Sequence, residues 1–153
     1  MYTETITLFN RHHSRRGDMW YPHILNNVDL IVDKASILQK YGAETKEKAR
    51  LHIKYKIDNE DKCIMINKIP YLNLKEWLKI EDDEKPNYVT FNADATYFDF
   101  FILGEYENTY PIEDSKDADR SLIDILSDDY EVYVLSSVSS PYKVIPHFEI
   151  LAR

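Results

Sequence analysis

The residues with most chemistry to offer are five histidines, one cysteine and several short acidic runs. His12 and His13 are adjacent in a polar stretch, Asn10 to Asp18. Adjacent residues on a strand face apart, whereas two ligands for one ion need a spacing that returns to the same face. The pair therefore reads as part of a solvated loop. His23, His52 and His147 fall on separate expected strands, and no spacing among them calls for a zinc ion. Cys63 heads an expected strand with no His or Asp at a fixed distance, so it reads as a buried thiol, not a nucleophile.

Asp58, Glu60 and Lys62 begin like a calcium loop. The pattern fails at the sixth position, which holds no glycine, and at the twelfth, which holds no acid. Arg16-Gly17-Asp18 spells an adhesion tripeptide and reads as a tight turn. No GxSxG is present, and the run Glu81 to Glu84 reads as a solvated acidic loop. Nothing here assembles a catalytic constellation. The expectation is a protein that is not an enzyme and needs no cofactor or metal.

One cluster has a second reading. Arg11, His12, His13, Arg15 and Arg16 form a basic loop on a chain of net charge −8. The plain reading is a solvated hairpin tip. The functional one is docking onto an acidic partner or a second copy, with charge setting orientation more than affinity. Arg11, Arg15 and Arg16, with the acidic loop Asp82, Asp83 and Glu84, are the expected contact residues.

Composition limits the rest. At 153 residues, 44% of them hydrophobic, the chain is expected to fold as one domain, 1–153. Aromatic content of 13%, with twelve tyrosines and six phenylalanines, favours pleated strands. With 27 acids against 19 bases, tight nucleic-acid binding is not expected, although an acidic wall past which DNA slides is compatible with the charge. A single cysteine allows no internal disulfide, and no CxxC pair exists for zinc. No apolar run resembles a signal peptide or approaches a membrane span, so a soluble protein made in a cytoplasm is expected. Three glycines exclude the glycine-rich phosphate loops.

The elements that must position these residues are mostly strands. Thr3 to Phe9 alternates and predicts a first strand. Met19 to Asp33 predicts one long strand or two broken ones, with Pro22 at an edge or bulge and a bend at Asn26-Asn27. Lys34 to Lys48 is weakly patterned and reads as loop. Ala49 to Asp58 is the clearest half-buried antiparallel strand, with Ala49, Leu51, Ile53, Tyr55 and Ile57 on one face. Cys63 to Ile69 and Tyr88 to Asn92 predict short strands, and Tyr97 to Glu105 a core strand ended by Gly104. Asn73 to Lys79 switches to helical spacing, with Asn73 and Glu76 placed for a capping box. Asp117 to Leu126 predicts a second helix. The chain closes on Asp128 to Arg153, two alternating runs around Ser139, Ser140 and Pro141, which predict a hairpin. The fold class expected is mainly β, an antiparallel barrel or sandwich with one or two short helices.

Several short segments, in order, carry a resemblance: Leu8 to Arg11, Trp20 to Leu30, then Tyr71, Lys75 and Trp77, then Asp99 to Glu105 (DFFILGE), Asp129 to Val138, Pro146 to Ile150, and Arg153. Together they resemble a family of small proteins encoded by tailed bacteriophages and prophages of Gram-positive bacteria, among the genes for the capsid and the head–tail junction. Two departures stand out: Phe98 replaces a glycine usual before the aspartate, and Ile112 to Ser127 is longer and more helical. The resemblance implies a virion structural protein of the neck, a head-closure-like subunit. Such a subunit acts in a homo-oligomeric ring between portal-side and tail proteins, with DNA passing its bore, and has no dealings with a membrane. A tail-terminator or tail-tube component is the alternative of the same class. A small-molecule-binding β-barrel, or an enzyme of unknown type, is the alternative of another class. Closed rings need one patch of a subunit to meet a different patch of the next.

Overall fold

A computed structural model describes residues 1–42, 46–115 and 119–153. Ten strands and three short helices run in the order β1 (Glu4–Ser14), β2 (Gly17–Ile31), α1 (Lys34–Tyr41), β3 (Ala49–Lys54), β4 (Lys56–Ile57), β5 (Ile64–Ile66), β6 (Ile69–Pro70), α2 (Leu74–Lys79), β7 (Phe100–Leu103), β8 (Ile112–Ser115), α3 (Leu122–Leu126), β9 (Val132–Val138) and β10 (His147–Ala152). The fold class is mainly antiparallel β with short helices, as the alternation predicts.

The main sheet follows the order β1-β7-β9-β10-β3-β2-β8, and β1 also pairs β2. Six strands therefore form a closed circuit of antiparallel pairings, and β8 adds to the start of β2. Closure gives a backbone edge a partner and leaves fewer N–H and C=O groups unpaired. The long β2 divides its outer margin. Its residues Gly17 to Trp20 pair β8, and Asp29 to Ile31 pair β3. Pro22 falls between these two stretches, where β2 has β1 alone beside it, so its missing N–H costs no ladder bond.

Opposite faces of the same strands feed two cores. Ile6, Leu8, Leu51, Ile53, Phe101, Leu135, Phe148 and Ile150 pack into the first. Phe9, Phe100 and Ile102 turn the other way and pack with Trp20, Leu122 and Leu126 in the second. The dense apolar run at β7 is explained by burial on both faces. Helix α3 covers the outer core, and its Ser121–Asp124 capping box holds its first turn. The helix is shorter than expected, and Asp117 and Ala118 of that expectation lie outside the described residues.

A cap segment, residues 71–98, brings Tyr71, Val89 and Phe91 into the inner core. The ring of Phe148 joins it to the circuit, with centroids 4.9 Å from Tyr71, 5.0 Å from Phe91 and 5.3 Å from Tyr55. Trp77 of α2 is fully buried and meets Tyr21 edge-on at 5.6 Å.

Four expectations need correction. Residues 34–41 are helical, not loop: Asp33 accepts from the Ala35 N–H at 3.0 Å, and Gly42, at φ +93°, closes the last turn. Among the described side chains of that helix Ile37 alone is buried, so its apolar period is too short to stand out. The strand expected over Tyr88 to Asn92 reduces to one bridge, Tyr71 to Val89. Two of its N–H groups are taken by side chains: the Thr90 N–H donates to Asn10 Oδ1, and the Asn92 N–H to Asp99 Oδ2. The expected Cys63 to Ile69 strand is a small hairpin, β5 and β6, whose turn residues Asn67 and Lys68 have φ of +50° and +70°, a type I′ pattern. Finally, Ile57 is exposed, because the chain leaves the main circuit after Lys54 and pairs instead with β5.

Candidate functional site

The basic loop is not a loop. Pairing of β1 with β2 continues to Ser14 opposite Gly17, leaving Arg15 and Arg16 as an exposed two-residue turn. Gly17 sits at φ +136°, open to glycine and strained for other residues. Arg11 is not at the tip. Its guanidinium lies over the rings of Trp20 at 4.4 Å and Phe98 at 4.6 Å, and its Nη1 donates to the Thr96 carbonyl at 3.0 Å. With its side chain only 10% exposed, and Asp18 at 3.7 Å, Arg11 is part of the hairpin's own structure. Phe98 is one half of that stack.

His12 and His13 face apart, as adjacent strand residues must. His13 Nδ1 lies 2.6 Å from Asp18 Oδ1, and its ring stacks on Tyr97 at 4.3 Å. His12 Nδ1 lies 3.4 Å from Asp82 Oδ1. Burial, aided by Lys85, lowers the pKa of His12, while Asp82 opposes that shift. The fold thus brings the acidic loop beside the basic hairpin. Buried Lys85 fixes that loop, donating to the Ile80 carbonyl at 2.6 Å and to Asp82 at 3.2 Å. Asp82, Asp83 and Glu84 are exposed.

Between the hairpin, α2 and the end of the cap segment is a cleft of about 350 Å³, lined by Arg11, His12, His13, Leu74, Leu78, Asn92, Asp94 and Tyr97. Asp94 accepts from the Thr96 and Tyr97 N–H groups, which lower its pKa. The cleft joins parts of the chain 80 residues apart, so no local pattern announces it.

Under the cleft lies a sealed polar cluster. Asp99 is fully buried and accepts from Asn10 Nδ2 at 2.9 Å, the Asn92 N–H at 2.8 Å and the Arg11 N–H at 2.8 Å. Burial pushes its pKa up to about 7, against the pull of these donors and the Arg11 charge. His23 is buried, with its pKa lowered to about 4 by desolvation. Its Nε2 has no hydrogen-bond partner.

Other histidines do meet. His52 and His147 lie 5.6 Å apart, edge to face, on neighbouring strands. Asp29 and Glu149 flank His52 at 3.5 and 3.9 Å, in register across β2, β3 and β10. Burial lowers the pKa of His52, with Arg50 and His147 adding to the effect. The failed calcium loop is the β4–β5 turn, where Asp58, Asp61 and Cys63 bring ligand atoms within 4.8 Å of one another. Asp58 Oδ1 already accepts there from the Glu60 N–H at 3.0 Å.

The expected final hairpin is present, but the turn between β9 and β10 runs well beyond Ser139, Ser140 and Pro141. Val144 and Ile145, expected to continue the last strand, are 97% and 66% exposed on a turn spanning 139–146. Their position between Pro141 and Pro146 was the available signal, since Pro supplies no ladder donor.

These features define a class: a mainly antiparallel β protein with a six-strand circuit, a capped interior and a charged hairpin beside a surface cleft. The whole chain, residues 1–153, matches the model of DUF6751, a family of unknown function, and belongs to that family. No curated protein and no solved structure matches the chain. Among the described residues, no helix is long and apolar enough to cross a membrane.

Proposed function

We propose that this protein is a structural subunit of a tailed bacteriophage or prophage virion, joining head to tail in the manner of a head-closure protein. The observation that carries the reading is the β1–β2 hairpin. It runs past the last β1–β7 pair at Phe9 and ends in exposed Arg15 and Arg16, on a chain of net charge −8. A hairpin turn with two exposed arginines on an acidic body suits docking to an acidic protein ring and steers its orientation. The strongly perturbed groups, Asp99 and His23, are sealed in the interior, where no substrate reaches them. The ordered sequence segments that resemble neck proteins supply the virion context, with assembly in the host cytoplasm and incorporation into a ring between portal and tail proteins.

Electron microscopy of lysates from a phage lacking this gene tests the reading. DNA-filled or leaking heads beside complete, unattached tails are expected. Tails of irregular length would move the protein to the tail terminator, and normal infectious particles would overturn a structural role. The cleft favours a second reading, a small-ligand site, since about 350 Å³ is at the lower end of the range for such sites, roughly 300–1,000 Å³. Co-purification of a stoichiometric small molecule with normal particles from the deletion phage would favour it.

A further inference from the structure

The cleft sets opposite charges side by side, next to an apolar wall that the fold leaves uncovered. Leu74 and Leu78 lie four residues apart on α2 and so share one face. Trp77 anchors that helix in the interior, yet Leu74 is only half-buried and Leu78 is 45% exposed. Tyr97, 43% exposed, adds a ring to the same cleft.

The cationic side is β1. His12 and His13 each turn Nδ1 to a carboxylate of this chain, Asp82 at 3.4 Å and Asp18 at 2.6 Å. Neither Nε2 has a hydrogen-bond partner among the described residues. Arg11 joins them as a fixed charge, its guanidinium held by the Thr96 carbonyl and two rings, with Asp18 offsetting part of it at 3.7 Å.

The anionic side is Asp94. Its Oδ2 accepts from the Thr96 and Tyr97 N–H groups at 2.9 and 2.8 Å, whereas Oδ1 accepts from no group among the described residues. The two N–H groups lower the pKa of Asp94, and the Arg11 charge adds to the effect, which marks Arg11 and Asp94 as neighbours.

Such neighbours suit a ligand whose own two charges stand one carbon apart. A simple anion would meet repulsion from Asp94, and a simple cation repulsion from Arg11. An apolar body is needed to cover Leu74 and Leu78. At about 350 Å³ the cleft is near the lower limit for small-molecule sites, which suits a ligand of few heavy atoms.

We propose that the cleft binds an α-amino acid with an apolar side chain. The carboxylate faces Arg11, His12 and His13, the ammonium faces Asp94 Oδ1, and the side chain covers Leu74 and Leu78. The proposal rests on the small-ligand reading of the cleft and supplies the class of ligand. It involves binding alone, with no bond made or broken.

The test is a titration of the purified full chain, followed by heteronuclear NMR, with three matched probes. They are L-leucine, 4-methylpentanoate, which lacks the ammonium, and 3-methylbutylamine, which lacks the carboxylate. Leucine is expected to shift the backbone amide signals of His12, His13, Leu78, Asp94 and Tyr97 to saturation. Each of the other two should bind at least about tenfold more weakly. D94N should weaken leucine by about tenfold and leave 4-methylpentanoate unchanged. H13F keeps a ring against Tyr97 and should weaken leucine and 4-methylpentanoate, but not 3-methylbutylamine. L78S, at an exposed position, should weaken all three.

No saturable shift with leucine would overturn the proposal. So would either half-probe binding as tightly as leucine, or a folded D94N that binds leucine as wild type does. Should D94N unsettle its turn, judged by its own amide signals, the three probes on the wild-type chain decide alone. Native mass spectrometry separates the two failures: a different small molecule retained by the chain would end the amino-acid assignment and keep the small-ligand reading. None of these results touches the deletion-phage microscopy.

Discussion

Asn26 and Asn67 hold each other by two hydrogen bonds. The Asn26 N–H donates to Asn67 Oδ1 at 2.8 Å, and Asn67 Nδ2 donates to the Asn26 carbonyl at 3.1 Å. The pair joins the bend of β2, where Asn27 has φ +56°, to the turn of the β5–β6 hairpin. Both sites use the tolerance of Asn for left-handed backbone. N67G keeps that backbone and loses both bonds, and should lower stability by about 1 kcal/mol. N67A should cost more, since alanine also carries the strain of positive φ. Urea denaturation of both variants checks the order; equal losses would remove the backbone contribution.

Asp99 and His23 should impose opposite pH dependences. With a folded pKa of about 7 against 3.8, Asp99 keeps a proton that the unfolded chain has released. Its contribution is complete below about 4 and is lost as pH rises to about 7. His23, at about 4 against 6.5, excludes a proton that the unfolded chain takes up. Its contribution is complete above 6.5 and is lost as pH falls towards 4. One proton each corresponds to slopes of about 1.4 kcal/mol per pH unit, opposite in sign, which offset one another between these limits. Relative to wild type, H23Q should gain stability from pH 6.5 to 4, and D99N should lose it. Denaturation curves that shift in parallel at every pH would refute both assignments.

Arg11 should behave as a core residue despite its charge. R11A removes the stack between Trp20 and Phe98, and should cost about 1–3 kcal/mol. R15E/R16E should leave thermal stability within about 0.5 kcal/mol, because that turn is exposed. Assembly assays of charge reversal therefore belong on Arg15 and Arg16, since reversal at Arg11 would confound binding with folding. Equal melting temperatures for R11A and R15E/R16E would contradict the stacked placement.

Phe148 joins the cap to the circuit, so F148A should be the most damaging single truncation here, at about 3–5 kcal/mol. Hydrogen exchange should show lost protection first at Leu72 and Val89, whose N–H groups close the cap's bridge. Loss confined to β10 would mean that the cap holds without it.

What the sequence by itself determined was the local alternation. Ala49 to Ile53 buried every second residue as read, and so did Phe148 and Ile150 in the last strand, because a strand's period of two needs only a half-buried sheet. Pro22 at an unpaired margin and Asn73 at the start of α2 followed from their own chemistry, since a missing N–H and a capping carbonyl act within a few residues. The tertiary structure alone decided the rest. It placed Arg11 under two rings drawn from Trp20 and Phe98, and set Asp99 against Asn10 across 89 residues. It also turned Val144 and Ile145 out into water, where alternation had placed them in a strand. These outcomes depend on which strands become neighbours round the circuit, and that is settled by the packing of two cores at once, not by any one segment's pattern.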